Sequence, residues 1–405
     1  MKRNAVAIPD WWDAVLRRVL ELPDFDGRTL QRFVPPLEQL SEHLNAVDER
    51  SGRPSLYMHK RLLRETYLLY YSTANLLKPL WVLDQLWPEG PPPGPAPLRV
   101  LDLGCGPGTG IAALHVWTQR HPEGRPLLVK GIDASEANAS LYRQVGDAIG
   151  AITGISIPCD VRQGDAARPP GEAASHDLVM ALNLLNEIPE KKHAAFLSRC
   201  EELLVPGGVL LLVEPALRLT SRVLLRLRDH AVAEGWNVRV PCFRQADCPA
   251  LVSEKDWCHH DLPWERPQHI AWLDEVVGNV KRSLKFSCLV LRKGGMDVPD
   301  TISSEDEGKT APQAEPQAAP RLRVVSELFV EKGRTWCHCC GEEGRRVYQR
   351  NHRDRSGDNA DFDRCVRYDT LAVEGAEARL HDVRITAEST VRLLSRSIVD
   401  STNIG

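Results

Sequence analysis

An α/β fold built on a doubly wound, mostly parallel sheet is predicted for the middle of this chain. A helical region precedes it and a small β-containing module follows. Three observations predict this. Between residues 98 and 217, short apolar runs bounded by glycine alternate with stretches of helical spacing, the pattern of a sheet covered on both faces. The first apolar run ends in the glycine-rich turn GCGPGTG, residues 104–110. The second ends in an acid, Asp133, where such sheets place ligand-binding carboxylates.

The elements follow in order. Residues 1–89 read as helical, and YMHKRLLRETYLLYYSTANLLKPLWVLDQLW carries apolar residues at helical spacing. Pro79 should kink or end that helix. Tyr67, Tyr70 and Tyr71 lie on it; they could stack on an RNA base or line a substrate entrance, and packing against the next domain is the plainer reading. EGPPPGPAP, residues 89–97, is a hinge. LRVLDLG is a strand, GIAALHVWTQR a helix, PLLVKGID a strand, and SEANASLYRQVGDAI a helix with Ser135 as N-cap. HDLVMALNLLNE is a strand with its exit loop, EKKHAAFLSRCEELL a helix, GGVLLLVEPAL a strand, and KFSCLVLRK a late strand. The boundaries are a helical region over 1–92, the α/β domain over 93–295, a disordered linker over 296–320 rich in Pro, Ala, Ser and acids, and a module over 321–405.

Composition narrows the class. A chain of 405 residues suits two or three domains, and 42% hydrophobic with 26% charged residues is globular. A net charge of −4 argues against a generally basic coat. No apolar run approaches the roughly 20 residues of a spanning helix, so no membrane is expected. The N-terminus has acids from Asp10 onward and no apolar signal core, so a bacterial cytoplasm is the expected location, with the mitochondrion as the alternative. Eleven cysteines, an odd number, then point away from a disulfide framework.

Asp102, Gly104, Gly106 and Gly108 make the turn specific. The glycines let the backbone bend and approach a ligand with no Cβ in the way, and the acid stands two residues before the first of them. This resembles motif I of class I S-adenosylmethionine-dependent methyltransferases, whose Rossmann-like doubly wound sheet the element order also matches. The resemblance implies S-adenosylmethionine as cofactor, with the glycine loop at its methionine part, Asp133 on the ribose hydroxyls and Asp165, in GDA after the third strand, at the adenine. NLLNEIPE follows the fourth strand, which directs Asn183, Asn186 and Glu187 toward the methyl-transfer position. The loop lacks the Asn/Asp-Pro-Pro-aromatic tetrad of amino-methylating nucleic-acid enzymes and the Thr-Cys or Pro-Cys pair of carbon-5 pyrimidine enzymes. Transfer from a sulfonium needs chiefly alignment, so the acceptor atom stays open.

The segment PCFRQADCPALVSEKDWCHH, residues 241–260, holds Cys242, Cys248 and Cys258. The spacing is too irregular for a zinc finger, and the polar surroundings do not suit buried small hydrophobes. A fourth thiol must come from elsewhere, and CHCC, residues 337–340, is the obvious donor. Cys105, Cys159, Cys200 and Cys288 read as core. PCFRQADCP followed by DWCHH resembles the PCPH-x3-CP…DWCHF signature of a family of methyltransferase-like small-ribosomal-subunit assembly factors, mitochondrial with bacterial relatives. The order of GCGPGTG, LNE, VEP, the cysteine signature, KFSCLVLR and a Cys–Gly turn is also that family's, over roughly residues 55–370. The resemblance implies a four-iron four-sulfur cluster held by Cys242, Cys248, Cys258 and Cys340, the last because Cys340–Gly344 matches the family's turn. Cys337 and Cys339 are rivals, and zinc on the same thiols or no metal are alternatives. This chain departs from the signature in a longer gap before Cys258 and in Cys-Phe-Arg for Cys-Pro-His. The cluster is expected to staple the core to the C-terminal module, and His259 and His260 to stay out of it.

The expected partner is the small ribosomal subunit or its RNA. Residues 321–355 hold nine Arg and Lys against five acids, and Arg218, Arg222, Arg226 and Arg228 share a helix, both suited to phosphate. Two functions compete: methylation of small-subunit ribosomal RNA, or a non-catalytic assembly factor that keeps the fold for binding. A zinc-stapled methyltransferase with another, smaller substrate is a third. The oligomeric state is not legible.

Overall fold

The computed structural model describes residues 5–45, 60–94, 96–294 and 320–396. The linker expected over 296–320 lies, but for residue 320, outside the described residues, as do residues 57–59 of the long helical segment.

Among the described residues, five α-helices form the N-terminal region: α1 (Trp11–Leu20), α2 (Gly27–Leu30), α3 (Val34–Asn45), α4 (Arg61–Thr66) and α5 (Thr73–Leu86). A π-helical stretch, Tyr67–Ser72, joins α4 to α5 without a break. Trp12, Val15, Leu16 and Leu20 form the buried stripe of α1. The Trp12 indole donates to Thr73 Oγ1 at 2.8 Å. Of the two outcomes expected at Pro79, an end of the helix does not occur; α5 runs through it. The reason is packing. Leu76, Leu77, Leu80, Trp81, Val82 and Leu83 are all buried around it, at about 1.5–3 kcal/mol each, against about 3 kcal/mol for one interior proline.

The α/β domain comprises β1 (Leu98–Leu103), α6 (Thr109–Arg120), β2 (Leu127–Asp133), α7 (Glu136–Thr153), β3 (Cys159–Gln163), β4 (His176–Leu182), α8 (His193–Leu203), β5 (Leu204–Pro215), α9 (Arg218–Ala233), β6 (Asn237–Val240), β7 (His260–Pro263), α10 (Gln268–Val277) and β8 (Ser283–Arg292). The strand order is β3-β2-β1-β4-β5-β8-β6, with β7 also on β8. Strands β1 to β5 are parallel and β8 runs antiparallel to β5. This is the class I methyltransferase Rossmann-like sheet. Ser135 caps α7 by accepting from the Asn138 amide. The order reverses between β1 and β4, which opens a crevice at the strands' carboxyl ends.

The outer edge of β8 is where this chain adds something. β6 pairs with its end, from Val290 to Arg292, and β7 with its start, from Ser283 to Phe286. Residues 287–289 are left without an outer strand partner, and the cysteine segment crosses there between β6 and β7. The C-terminal module follows, with β9 (Arg321–Val324), β10 (Phe329–Glu331), β11 (Arg334–Gly341), β12 (Gly344–Asn351), β13 (Thr370–Glu374), β14 (Glu377–Ala378), β15 (Asp382–Ile385) and β16 (Thr390–Ser395). They form one sheet in the order β14-β15-β12-β11-β9-β13-β16, with β10 on β11. Leu322, Val324, Phe362, Leu371 and Ile385 are among its core. The module seats on the α/β domain through buried Arg323, which donates to the Pro241 carbonyl at 3.0 Å and the Tyr368 carbonyl at 2.7 Å. The Tyr368 ring lies against Trp81 and His260, with centroids 5.8 and 4.4 Å away.

Candidate active site and cysteine cavity

The glycine turn leaves β1 with three left-handed residues: Gly104 (φ 63°), Gly106 (φ 54°) and Gly108 (φ 113°). Their roles differ. A Cβ on Gly104 would lie 2.8 Å from Leu184, and one on Gly108 3.2 Å from Val145, so both are needed for protein packing. A Cβ on Gly106 would meet nothing nearer than 3.9 Å. What Gly106 keeps clear is a cavity of about 540 Å³, lined by Gly104, Gly106, Asp133, Asn138, Asp165 and Asn183 among others. Asp133 accepts from the Gly106 amide at 2.9 Å, the Ser135 amide at 2.9 Å and the Asn138 side chain at 3.0 Å. Asp165 faces the same space while accepting from the Ala167 amide. The Asn138 side-chain oxygen, Oδ1, is buried there without a protein partner. A polar orphan beside a carboxylate and a glycine cradle suits a polar cofactor of the size of S-adenosylmethionine.

Two residues expected at the cofactor do not line this cavity. Asp102 is 1% exposed beneath the turn, where Tyr142 donates to it at 3.2 Å. A Cβ on Gly110 would stand 2.0 Å from Asp102 Oδ2. The acid sits inside β1 rather than at its end, so it faces the first turn of α6. Gly108 is set back for the same reason, against α7.

A second cavity of about 570 Å³ adjoins the first and shares Tyr67, Asn183 and Glu187 with it. Asn183 holds φ 57°, a left-handed conformation asparagine tolerates better than most residues. Asn186 lines only the second cavity of the two, and its amide is tied to Glu214 at 2.8 Å and to the Asn183 carbonyl at 3.3 Å. Its side-chain amide is thus engaged by the protein itself, whereas the sequence reading directed it toward the methyl-transfer position. Glu214 was missed. It ends β5, is 1% exposed, and accepts from the Leu185 amide at 2.8 Å and the Asn186 amide at 3.3 Å. The available signal was one acid in the apolar run GGVLLLVEP. Tyr67 and Tyr71 line the second cavity, whereas Tyr70 turns into the core and donates to Asp274 at 2.5 Å.

Burial pushes the Glu214 carboxyl up to about 7, against the opposing pull of the amides it accepts from. Unfolded, this group releases its proton near 4.5, so its contribution is full below that pH and is lost as pH rises through about 7. Glu214→Gln is therefore expected to gain on the wild type between those limits, on the order of 3 kcal/mol. Urea unfolding of both proteins across this range checks it; parallel curves would contradict it.

The cysteines come together at the uncovered stretch of β8. Cys242, Cys248, Cys258 and Cys340 line a cavity of about 410 Å³, with Cys288 at its wall. The Cys258 thiol is 3.2 Å from the Tyr368 hydroxyl. Strand alternation separates the three rivals on β11. Cys337 and Cys339 are buried in the module's own core, their sulfurs 3.6 Å apart, while Cys340 faces the cavity. Cys288 was read as core; it is buried but belongs to this wall. Burial pushes the Cys242, Cys248 and Cys340 thiols up to about 12, so a ligand that takes thiolates must displace protons. Arg228, Arg323 and Arg345 also line the space and suit an anionic thiolate group. Among the described residues, no three His, Cys, Asp or Glu side chains are drawn together closely enough for one metal ion.

Three of the four arginines of α9 hold this segment, where the sequence reading suited all four to phosphate. Arg222 donates to the carbonyls of Ala250, Ser253 and Asp256 at 3.2, 2.7 and 2.8 Å. Arg228, 1% exposed, donates to the Ala246 and Arg244 carbonyls at 2.6 and 2.5 Å. Arg218 reaches the Glu254 carbonyl, and Arg226 pairs with Glu190 at 2.6 Å. In the module, Arg350 is buried against Asn359 and Asp363 and Arg345 pairs with Asp256. His260 is buried between Trp81 and Tyr368.

Strand order, glycine cradle and paired cavities define a class I methyltransferase-like protein. Residues 83–361 match the family model described as mitochondrial small ribosomal subunit Rsm22. The chain belongs to the Rsm22 family. A 135-residue stretch is 34% identical to the trans-aconitate 2-methyltransferase of Methylobacterium nodulans, covering 32% of this chain and 45% of that relative, so the chain spans less than half of its length. A Listeria monocytogenes protein described as a class I S-adenosylmethionine-dependent methyltransferase superposes at 12% identity over 72% of this chain and 82% of its own, with a TM-score of 0.36. An S-adenosylmethionine-dependent methyltransferase of Methanosarcina mazei does so at 13% over 50% and 95%, with a TM-score of 0.29. These two likenesses are slight, and the fold rests on the strand order itself.

Proposed function

We propose that this protein binds the small ribosomal subunit during its assembly and methylates its RNA with S-adenosylmethionine, in a bacterial cytoplasm or, as the family description has it, in the mitochondrion. The observation that carries the enzymatic part is the junction of two cavities at Asn183 and Glu187, at the strand ends of a methyltransferase sheet. S-adenosylmethionine, when bound, supplies an electrophilic methyl group on sulfur. Gly106 leaves room for it, Asp133 and Asn138 offer hydrogen bonds to its hydroxyls, and Asp165 faces its base. Glu214 and Asn186 hold the Asn183–Glu187 turn in place, so that alignment does most of the chemistry.

An iron–sulfur cluster on Cys242, Cys248, Cys258 and Cys340 joins core and module in this reading. The four thiols come from both sides of the junction, which supports a structural staple. The cluster, when bound, supplies thiolate bonds that tie β11 to the β6–β7 segment. Protein purified without oxygen is expected to hold about four iron and about four acid-labile sulfide per chain and to co-sediment with small subunits. One zinc with no sulfide would remove the cluster; no association with small subunits or their precursors would remove the ribosomal role. The engaged Asn186 amide favours the non-catalytic assembly factor as a second reading. Methyl incorporation into small-subunit RNA, absent in a strain lacking the protein, separates the two.

No helix among the described residues is long and apolar enough to cross a membrane.

A further inference from the structure

The second cavity has a wall and a rim of different chemistry. Its wall is one continuous helical face: Tyr67 and Tyr71 from the π-helical stretch, then Asn75 and Lys78 from α5. The two tyrosine rings stack, with centroids 5.3 Å apart at 30°. π-helical turns cost regular hydrogen bonding and concentrate at functional sites. Here the irregularity falls where the helix faces both cavities. Lys281, just before β8, sets its Nζ over the Tyr71 ring at 5.4 Å, and Arg282 and Lys285 line the cavity from its exposed rim. The cavity thus offers a flat aromatic surface, two amides able to read a polar edge (Asn75 and Asn183), and cations increasing toward solvent.

We infer that the second cavity is the acceptor site for one nucleotide of single-stranded RNA, its base against the Tyr67–Tyr71 wall and its phosphate at the Arg282–Lys285 rim. This rests on the reading of the protein as an RNA methyltransferase and adds where the acceptor sits. Enzymes that act on a base take it out of the stack into such a pocket, and bases in single strands stack on aromatic side chains. The cavity volume of about 570 Å³ is within the range of small-ligand sites. Lys78 and Lys281 stand deep in the cavity, and Arg282 and Lys285 are exposed at its mouth. Burial, with Lys281 nearby, holds the Lys78 ammonium down to about 7, so it can meet a base edge as donor or acceptor.

The test is fluorescence anisotropy of the full chain with a labelled single-stranded RNA of about ten nucleotides at about 0.1 M salt. Tyr71→Leu is expected to weaken binding about 5- to 100-fold, the range for loss of one stacked base. Lys78→Met and Lys285→Glu are each expected to weaken it about tenfold or more. Lys285→Glu changes an exposed side chain and Lys78→Met replaces an amine with an apolar chain of similar length, so folding survives. A nucleoside monophosphate should displace the RNA. Unchanged affinity in all three variants, with wild-type binding of RNA and small subunits intact, overturns the inference and leaves the ribosomal reading standing. Displacement by trans-aconitate but not by nucleotide overturns it in favour of a carboxylic acid. A wild-type protein that binds neither RNA nor small subunits overturns the ribosomal reading itself.

Discussion

Cys242→Ser is expected to lose iron and sulfide and to melt about 5–15 °C lower than the wild type, and with that to lose co-sedimentation with small subunits. The residue follows β6, the Arg228 side chain lies beside it, and Cys340 reaches the same cavity from the other folding unit. A serine hydroxyl is a poor replacement for thiolate. The loss is then that of a crosslink between segments far apart in sequence, about 2–4 kcal/mol by comparison with a covalent bridge. At a few degrees per kcal/mol for a domain of this size, the stated fall follows. Cys337→Ser is the control. Its thiol lies in the module core and faces away from the cavity, so iron and sulfide should be unchanged even if the module loosens. Iron analysis and thermal unfolding of both variants check the pair. Full iron and an unchanged melting temperature in Cys242→Ser would end the staple model. Full loss in Cys337→Ser would move the fourth ligand.

Gly106→Val is expected to abolish binding of S-adenosylhomocysteine, with affinity falling about 100-fold or more, while the protein stays folded. The cavity is open at this Cα, since a Cβ would meet only the Gly104 carbonyl at 3.9 Å. The added side chain therefore fills ligand space rather than striking protein. The left-handed φ of 54° adds a local cost of about 1–2 kcal/mol, felt as a small drop in melting temperature. Gly106→Asn tolerates that φ better and should bind no better, which separates filling from strain. Calorimetric titration decides it. Wild-type affinity in both variants would place the cofactor elsewhere.

Much of the lining of the first cavity was legible in the sequence. GCGPGTG, Asp133 and the NLLNE loop are local: the glycines permit a turn, and an acid at a strand end faces the crevice whatever lies around it. Asp102 was misplaced because one residue along a strand reverses the face, and distance from a glycine does not reveal facing. The same alternation decided among the cysteines of β11. Sequence spacing left Cys337, Cys339 and Cys340 as rivals, and only pairing with β9 and β12 fixed which face looks outward. The arginines of α9 read as a phosphate surface because a helix shows its charge spacing but not its neighbours. The carbonyls they hold belong to residues 16 to 36 positions away.

The order of elements, the glycine cradle and the residues offered as ligands were determined by the sequence itself, because each depends on backbone freedom and periodicity within a few residues. The tertiary structure alone decided which groups meet. It brought Lys78 and Glu187 to the lining of one cavity, Glu214 to the Asn186 amide, and Cys340 across the junction to the segment between β6 and β7. Those meetings depend on strand order and on how two separate cores pack, and no local pattern records either.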